Sequence, residues 1–361
     1  GQIIDDKVQF YLPLPLDGGT LERVSGADGQ TVYTANTAQA AGLTSVLPGG
    51  MTYSSPIANG VSTKGGSLSL VFDHDLPGDM ALNVKAKAAQ YKHQFNLFSD
   101  GDGIVNVPET QAQYLTNRNI TGANSFTYVD NGQALAAGTR LFANRITNRD
   151  RPAEDASAEF NLTKRMALGG ATHNFTLGSW LARTSAEDNT LTQMYLAEFN
   201  NQPRLVNLTA GGVNYTRNGL LDPSVGYTQN KHTATRKALY LADQIESKDW
   251  ALDAGVRVER IDATLRRETT STVTGISQGG TNESAALTSA VYGTGNFLNG
   301  KVSTTETAAS LGGLYKLSKT TNVYGNVSHG FFFPEVRSVS FNAQGNPASY
   351  EGEVIDQLEA G

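Results

Sequence analysis

Four pairs of alternating polar and apolar segments dominate this 361-residue sequence, and each pair is joined by a turn of a few residues. The clearest pair runs from Lys237 to Ile245 and from Trp250 to Ile261. Side chains on a strand point to opposite faces with a period of two. One face of the second arm therefore needs an apolar surrounding, and the other, which carries polar residues, needs water. The apolar positions are Leu252, Ala254, Val256 and Val258, and they alternate with Asp253, Gly255, Arg257 and Glu259.

The other three pairs repeat this pattern. They are predicted over residues 67–98, 155–184 and 307–333, with turns at residues 77–79, 169–170 and 318–321. A further strand is predicted over residues 2–12, and another begins at Glu353. The connections between the hairpins are long and polar, and the second is predicted to hold a small hairpin of its own, over residues 191–199 and 204–215. The long loops are predicted over residues 99–154, 185–231 and 269–304.

These elements amount to about ten strands, each close to the roughly 9–11 residues of a tilted membrane crossing. Short turns at one edge and long loops at the other are typical of an outer-membrane barrel. Hydrophobic residues make up 39% of the chain and charged residues 17%, both below the usual globular share. A barrel with a water-filled lumen needs fewer hydrophobic and fewer charged residues than a globular domain. The sequence therefore predicts an all-β, transmembrane antiparallel β-barrel, although composition alone fits a Gly-rich secreted sandwich or solenoid equally well.

Several classes of function are disfavoured. The formal charge of −6 and the lack of a basic cluster argue against a nucleic-acid partner. Cysteine is absent, the five histidines are scattered, and the Asp100–Asp102 pair has no third ligand at calcium-loop spacing, so neither a metal site nor a cofactor is predicted. No set of side chains forms a nucleophile with its base, so no catalytic residue is predicted. No apolar run reaches the roughly 18 residues of a membrane helix.

Large aromatic residues lie near several predicted strand ends. An interfacial girdle is the function we expect for them, because aromatic side chains favour the boundary between membrane and water. Ordinary strand aromatics are the alternative, since these residues also favour strands. The residues concerned are Tyr91, Trp180, Tyr240, Trp250, Tyr315, Tyr324 and Phe331 to Phe333.

Four segments resemble the barrel of the TonB-dependent outer-membrane receptors. Residues 324–331 followed by Pro334-Glu335 are similar to the "YxNxSxGFxxPE" strand end of that family, although Phe332 stands where the family often has a basic residue. Residues 250–259 resemble the recurring "LxxGxRxE" strand, and residues 357–361 resemble a strand that ends in "ExG". Residues 5–10, followed by Pro13 and Pro15, fit an early barrel segment. The resemblance is specific over residues 250–361 and loose elsewhere.

The resemblance implies a barrel of roughly 22 strands with a plugged lumen. Residues 1–361 are then part of one barrel domain, and the N-terminal plug and the final strands are expected to lie outside them. It also implies a non-enzymatic importer in the outer membrane of a Gram-negative bacterium, with a small-molecule substrate, a lipid bilayer around it, and a TonB energy-coupling protein acting through the plug. A ferric siderophore is the default substrate. A carbohydrate or other organic nutrient is the alternative, and a passive porin is the alternative from another class.

Substrate-binding candidates come from the arginines and aromatic residues of the predicted loop over residues 99–154, because guanidinium groups bind anions and rings stack on planar ligands. The alternative is a loop held together by its own salt bridges. The candidates are Arg118, Tyr128, Arg145 and Arg149. A second set is predicted to face the lumen and to pair with one another or with the plug, and it comprises Lys85, Lys87, Asp253, Arg257 and Glu259.

Overall fold

A computed structural model describes residues 1–8, 26, 34–99, 101–105 and 107–361. Strands dominate these residues, and two short helices, α1 (Ala38–Ala41) and α2 (Gln111–Asn117), lie in the loops. In chain order the strands are β1 Gln2–Val8, β2 Thr44–Leu47, β3 Met51–Ser54, β4 Val61–Leu76, β5 Met80–Ser99, β6 Glu109–Thr110, β7 Asn124–Tyr128, β8 Arg140–Leu168, β9 Ala171–Glu198, β10 Val206–Ala210, β11 Val213–Asn214, β12 Leu220–Glu246, β13 Trp250–Thr274, β14 Ser289–Lys316, β15 Asn322–Phe332 and β16 Glu353–Ala360.

One antiparallel sheet carries the fold. Ten strands follow each other across it in the order β1-β4-β5-β8-β9-β12-β13-β14-β15-β16, and the short β6 adds to β8. The four predicted hairpins are the pairs β4–β5, β8–β9, β12–β13 and β14–β15, and each closes at its predicted turn. The prediction of about ten barrel strands is therefore confirmed. The predicted continuation of β1 over residues 9–12 lies outside the described residues.

Several strands are longer than predicted. β8 begins at Arg140, β9 ends at Glu198 and β12 begins at Leu220, inside segments that were predicted as loops. Beyond the bilayer both faces of a strand can be polar, so alternation disappears while the hydrogen-bonded ladder continues. The separate hairpin predicted over residues 191–199 and 204–215 is wrong, because residues 191–198 pair with β8 and β10 pairs with β7 and β11.

The strand register places the alternating apolar side chains of all four hairpins on one face of the sheet, which we call the lipid face. Its central row of directly paired residues is Leu82, Leu162, Leu177, Leu241 and Val256. Leu177 is 57% exposed and Val256 is 44% exposed, so within the described residues no second sheet or helix layer covers this central row. The prediction that these side chains face the bilayer is consistent with this exposure, since a barrel has hydrocarbon outside it.

The opposite face, called the lumen face, is polar. One of its rows is Asn83, Asn161, Gly178, Tyr240 and Arg257. Arg257 donates from Nη2 to Glu259 Oε2 over 2.6 Å, so two of the predicted lumen-facing charges pair with each other.

Only some of the predicted girdle residues lie on the lipid face. Trp250 and Tyr315 are direct cross-strand partners on the lipid face near the short turns, where a girdle is expected. Trp180 and Tyr240 lie on the lumen face, so the girdle assignment is wrong for them. Neighbouring residues of a strand point to opposite faces, and each of these two residues is next to a lipid-face leucine in its own strand.

Loop segments cover both faces of the β8–β9 ribbon beyond the apolar band. On the lumen face, Leu141 and Leu196 pack against residues of α2, β7 and β10. On the other face, Ile146 and Tyr195 pack against Leu43, Ile57 and other residues that include parts of the 34–60 segment. A ribbon that is covered on both faces by protein has no surface for lipid, so this part of the molecule lies outside the bilayer. Neither helix in the described part of the chain is long and apolar enough to span a membrane.

Candidate substrate-binding surface

Arg118 is held by acidic neighbours. Its Nε donates to Asp102 over 2.7 Å, its Nη1 donates to Glu109 over 3.1 Å, and its guanidinium lies 3.8 Å from the centre of the Tyr114 ring. The side chain is only 9% exposed. Thr110 begins α2 with a capping box, which fixes the helix beside this ion pair. The Arg118 guanidinium therefore binds the 101–105 segment to α2.

Tyr128 is also engaged within the loop layer. Its hydroxyl donates to Glu198 over 2.8 Å, and the guanidinium of Arg204 lies 3.5 Å from the centre of its ring. Arg204 in turn donates to Asp130 over 2.5 Å and 3.0 Å. Stacking and ion pairing together fasten β7 to the residues that precede β10.

Arg145 and Arg149 lie together on the lumen face of β8. Arg145 is the cross-strand partner of Ser99, and Arg149 is the partner of Phe95. Four residues of strand separate their Cα atoms by about 13 Å. The Nε atoms of both are buried and donate to no group in the described part of the protein. The structure thus places two of the four predicted residues on the same stretch of β8, each with a hydrogen-bond donor that has no partner among the described residues. Arg118 and Tyr128 lie in separate networks.

Further lumen-face residues surround these arginines, and two of them, Phe95 and Asn230, were not predicted from the sequence. Arg151, two residues beyond Arg149, donates to both carboxylate oxygens of Asp188 over 3.2 Å and 3.3 Å. The carbonyl oxygen of the Asn230 side chain is buried and accepts no hydrogen bond within the described residues. Phe95 lies on the same face of β5 as Lys85 and Lys87, because an even number of residues separates them. This alternation could have identified it from the sequence.

A second concave surface lies on the lipid-face side of the same strands, beyond the apolar band. It is a cavity of about 450 Å³ roofed by residues of the β2–β3 hairpin. Burial raises the pKa of Tyr53, one of the roof residues, to about 12, although a hydrogen bond with Asn148 opposes the shift. Two rows of directly paired residues form the floor, namely Gln94, Asp150, Asn189 and Gln229, and then Asn96, Asn148, Leu191 and Tyr227. This amide-rich cavity was not predicted from the sequence.

The segment between β15 and β16 folds against the lumen face. Phe333, Val339 and Tyr350 pack onto Ile261 and Leu265. The Tyr350 hydroxyl donates to the carbonyl of Pro334 over 2.5 Å, which closes the segment on itself. The family-like Pro334-Glu335 motif therefore begins a loop that covers the inner wall and narrows the space in front of it.

Asp222 gives the loop layer a dependence on pH. Burial raises the pKa of its carboxyl to about 6, while the backbone N–H of Ser224 donates to it over 2.8 Å. A raised folded-state pKa means that ionisation destabilises the fold, and the penalty appears as the pH rises from about 4 to about 6. We expect Asp222→Asn to stabilise the residues around 206–224 by about 1 kcal/mol at pH 8 and to have no effect at pH 3.5. Amide hydrogen exchange of β10 at the two pH values measures this, and equal effects at both would contradict it.

The comparisons with known proteins agree with this architecture. The family model described as "TonB dependent receptor-like, beta-barrel" matches residues 16–361. The siderophore receptor PiuA from Acinetobacter baumannii superposes with a TM-score of 0.54 at 12% identity, over 99% of this chain and 43% of that one. The open form of the ferric-catecholate import receptor Fiu from E. coli K12 gives a TM-score of 0.44 at 13% identity, over 75% and 36%. No curated protein sequence matches the chain. The chain spans less than half the length of these solved structures, and it belongs to the TonB-dependent receptor family, of whose β-barrel it forms part.

Proposed function

We propose that this chain is part of the wall of an energy-coupled importer that takes up a ferric siderophore through the outer membrane of a Gram-negative bacterium. A TonB-type protein supplies the energy through a plug domain. The chain itself performs no chemistry on the substrate. It provides an insulated wall, a loop layer outside the bilayer, and a lumen face that binds the solute.

The observation that carries this proposal is the pair Arg145 and Arg149. Both lie on the lumen face outside the apolar band, and each has a buried Nε donor with no partner among the described residues. Ferric siderophores present anionic oxygens, and guanidinium groups bind such oxygens through strong charge-assisted hydrogen bonds. A neutral carbohydrate does not need two such cations, so this surface favours the siderophore over the organic nutrient. PiuA, whose structure is similar, is a siderophore receptor, which is consistent with this choice.

Uptake of radioactive iron chelates by cells carrying the full-length receptor tests the proposal. Charge-assisted hydrogen bonds contribute about 1.5–3 kcal/mol each, so Arg145→Gln with Arg149→Gln should weaken binding about a hundredfold or more. The matched control is Lys248→Gln with Lys319→Gln, which removes the same charge from the short turns at the other end of the sheet. The control should bind like the parent receptor.

Two further outcomes would each favour a different function. Uptake that persists after a protonophore collapses the proton gradient would indicate a passive porin, because TonB coupling requires that gradient. Growth supported by oligosaccharides but by none of the iron chelates would indicate a nutrient importer. Retained chelate binding by the Arg145/Arg149 double variant would show that the substrate surface lies elsewhere.

A further inference from the structure

A row of directly paired lumen-face residues lies beneath the 333–350 segment, which connects β15 to β16. The row has one member from each of four strands, namely Ala186 on β9, His232 on β12, Leu265 on β13 and Gly300 on β14. Leu265 packs against the segment, and a Cβ atom on Gly300 would lie 2.9 Å from Pro347 and 3.1 Å from Phe341. The segment therefore rests directly on this row, and His232 is the member of the four that can change its charge.

Two arginines act on His232, one from the wall and one from the segment. Arg267 lies on the same face of β13, two residues beyond Leu265, and its guanidinium is 5.3 Å from the centre of the Phe341 ring. Arg337 belongs to the short 3-10 turn of the segment itself. A positive charge on His232 would be repelled by both arginines, and the repulsion from Arg337 would push the segment away from the wall.

The carboxylates beside these cations already have partners. Asp188 lies on the same face of β9 as Ala186, and both of its oxygens accept from Arg151 on β8, over 3.2 Å and 3.3 Å. Glu335 accepts from the Nε of Arg337 within the segment. Each carboxylate is thus paired with an arginine, and little negative charge is left to stabilise a proton on His232.

His232 lies outside the bilayer. It is seven residues beyond Leu239 of the apolar band, and the lipid-face positions between them are Lys237, Thr235 and Thr233. Burial lowers the pKa of the His232 imidazole, Arg267 and Arg337 lower it further, and Asp188 opposes the shift. The imidazole is therefore neutral at neutral pH while the segment covers it.

The direction of this shift sets the direction of the pH dependence. When the segment lifts, water reaches the imidazole and Arg337 moves away, so the pKa of His232 returns toward the ordinary histidine value of about 6.5. The open form then binds the proton more tightly than the closed form. Closure is fully stable above the ordinary value, and this stability is lost as the pH falls through it toward the lower pKa of the closed form.

We propose that His232 is a proton switch for the 333–350 segment, which it keeps closed over the lumen wall when neutral and releases when protonated. The closed segment narrows the space in front of the wall, so its release in a mildly acidic medium widens that space. The switch acts on the segment through charge, and it does not depend on which solute is imported.

Double electron–electron resonance between two spin labels on the full-length receptor in detergent micelles measures the position of the segment. One label replaces Gln344, which is exposed on the segment, and the other replaces Lys248, which is exposed in a short turn at the other end of the wall. The parent receptor should give one distance at pH 8, and a second distance should appear as the pH falls to 5.5. A ligand, here the proton, typically shifts a coupled equilibrium by about fivefold or more, and the ratio of open to closed receptor should rise by that factor.

Substitutions at His232 assign the response to this side chain. His232→Gln removes the titrating group and should keep the closed distance at both pH values, whereas His232→Lys should populate the second distance already at pH 8. The matched control is His93→Gln, because His93 also lies on the lumen face but three strands away, where it is hydrogen-bonded to Thr63 over 2.8 Å. A second control is His329→Gln, which removes the histidine that pairs with Asp356 in the strands leading to the segment. Both controls should respond to pH like the parent.

Three results would overturn the proposal. A single distance at every pH in the parent receptor would show that the segment does not move. A pH response that persists in His232→Gln would assign the movement to another group, and its loss in His329→Gln would point to the β15–β16 pair instead. A fully closed segment in His232→Lys at pH 8 would show that a charge at this position does not release it. Migration of the folded barrel on an unheated gel confirms that each variant has folded.

Discussion

Replacement of Glu259 by alanine should destabilise the barrel wall by about 3–5 kcal/mol. Glu259 is 2% exposed on the lumen face, and each of its carboxylate oxygens accepts from a different arginine. Arg236 donates to Oε1 over 2.5 Å, and Arg257 donates to Oε2 over 2.6 Å. Without the carboxylate, two half-buried guanidinium groups would face each other with no charge between them, on strands that must remain paired.

Among the described residues, no second carboxylate lies within ion-pair distance of either arginine. Both guanidinium groups lie beside Trp180, at 5.0 Å and 5.5 Å from the ring centre, and this contact is weaker than an ion pair. Glu259→Gln should cost less than Glu259→Ala, because an amide keeps one acceptor in place. Urea unfolding of the full-length receptor in detergent micelles measures both, with Asp253→Asn as the control.

Asp253 suits that control because it lies on the same strand and face but is exposed, and no cation is within ion-pair distance of it among the residues that the structure describes. Its substitution should change stability by less than about 0.5 kcal/mol. A Glu259→Ala variant that unfolds at the same urea concentration as the Asp253→Asn variant would show that the two arginines find water or other partners without cost.

The alternation of residues predicted the hairpins, their turns and the membrane-facing side chains because each depends on local sequence. The turn at residues 169–170 needs positive φ angles, and glycine supplies them at Gly169 (61°) and Gly170 (81°). The lipid-facing leucines could be identified because hydrocarbon imposes the same demand on every second residue. The correct parity also places Trp180 on the lumen face, so the girdle error came from judging that residue by its position near a strand end alone.

The candidate site could not be predicted with the same success because it depends on partners that are distant in space. Arg118 and Arg149 are equivalent in the sequence, since both are arginines in a polar segment. In the structure Arg118 is enclosed by Asp102 and Glu109, whereas the Nε of Arg149 is buried without a partner in the described part of the chain. Which arginine keeps a free donor depends on how α2 packs on β8, and no local pattern encodes that packing.

The charged residues on the lipid face of β12 and β13 illustrate the same limit. Lys231 and Arg266 are 35 positions apart in the sequence, and only the register of β12 on β13 makes them neighbours. A shift of one residue in that register would turn one strand's apolar side chains away from the lipid. The membrane-facing pattern therefore fixes the pairing of strands, and the pairing in turn fixes the charge pattern beyond the bilayer.

Replacement of Gly178 by alanine should destabilise the wall by about 2–4 kcal/mol, which is the second large effect that we expect. Gly178 lies on the lumen face of β9 directly opposite Tyr240, whose ring crosses over it to reach β8. The Tyr240 hydroxyl donates to Glu159 over 2.7 Å and lies 2.5 Å from Asn161 Oδ1. A Cβ atom on Gly178 would lie 2.1 Å from the Tyr240 ring and 2.6 Å from Asn161 Oδ1, so the ring must move and its hydrogen bonds across β9 must break.

A double-mutant cycle separates this steric cause from any general effect of alanine in a strand. In a Tyr240→Ala background the ring clash is absent and only the terminal amide of Asn161 has to turn aside, so Gly178→Ala should then cost less than about 1 kcal/mol. Gly255→Ala is the matched control, because Gly255 lies on the same face two strands further along, on β13, and its Cβ would meet no atom closer than 3.7 Å. That substitution should be neutral or slightly stabilising, since alanine loses less backbone entropy than glycine on folding. Equal costs for Gly178→Ala with and without the Tyr240 ring, measured by urea unfolding, would show that the ring does not need this glycine to cross the strand.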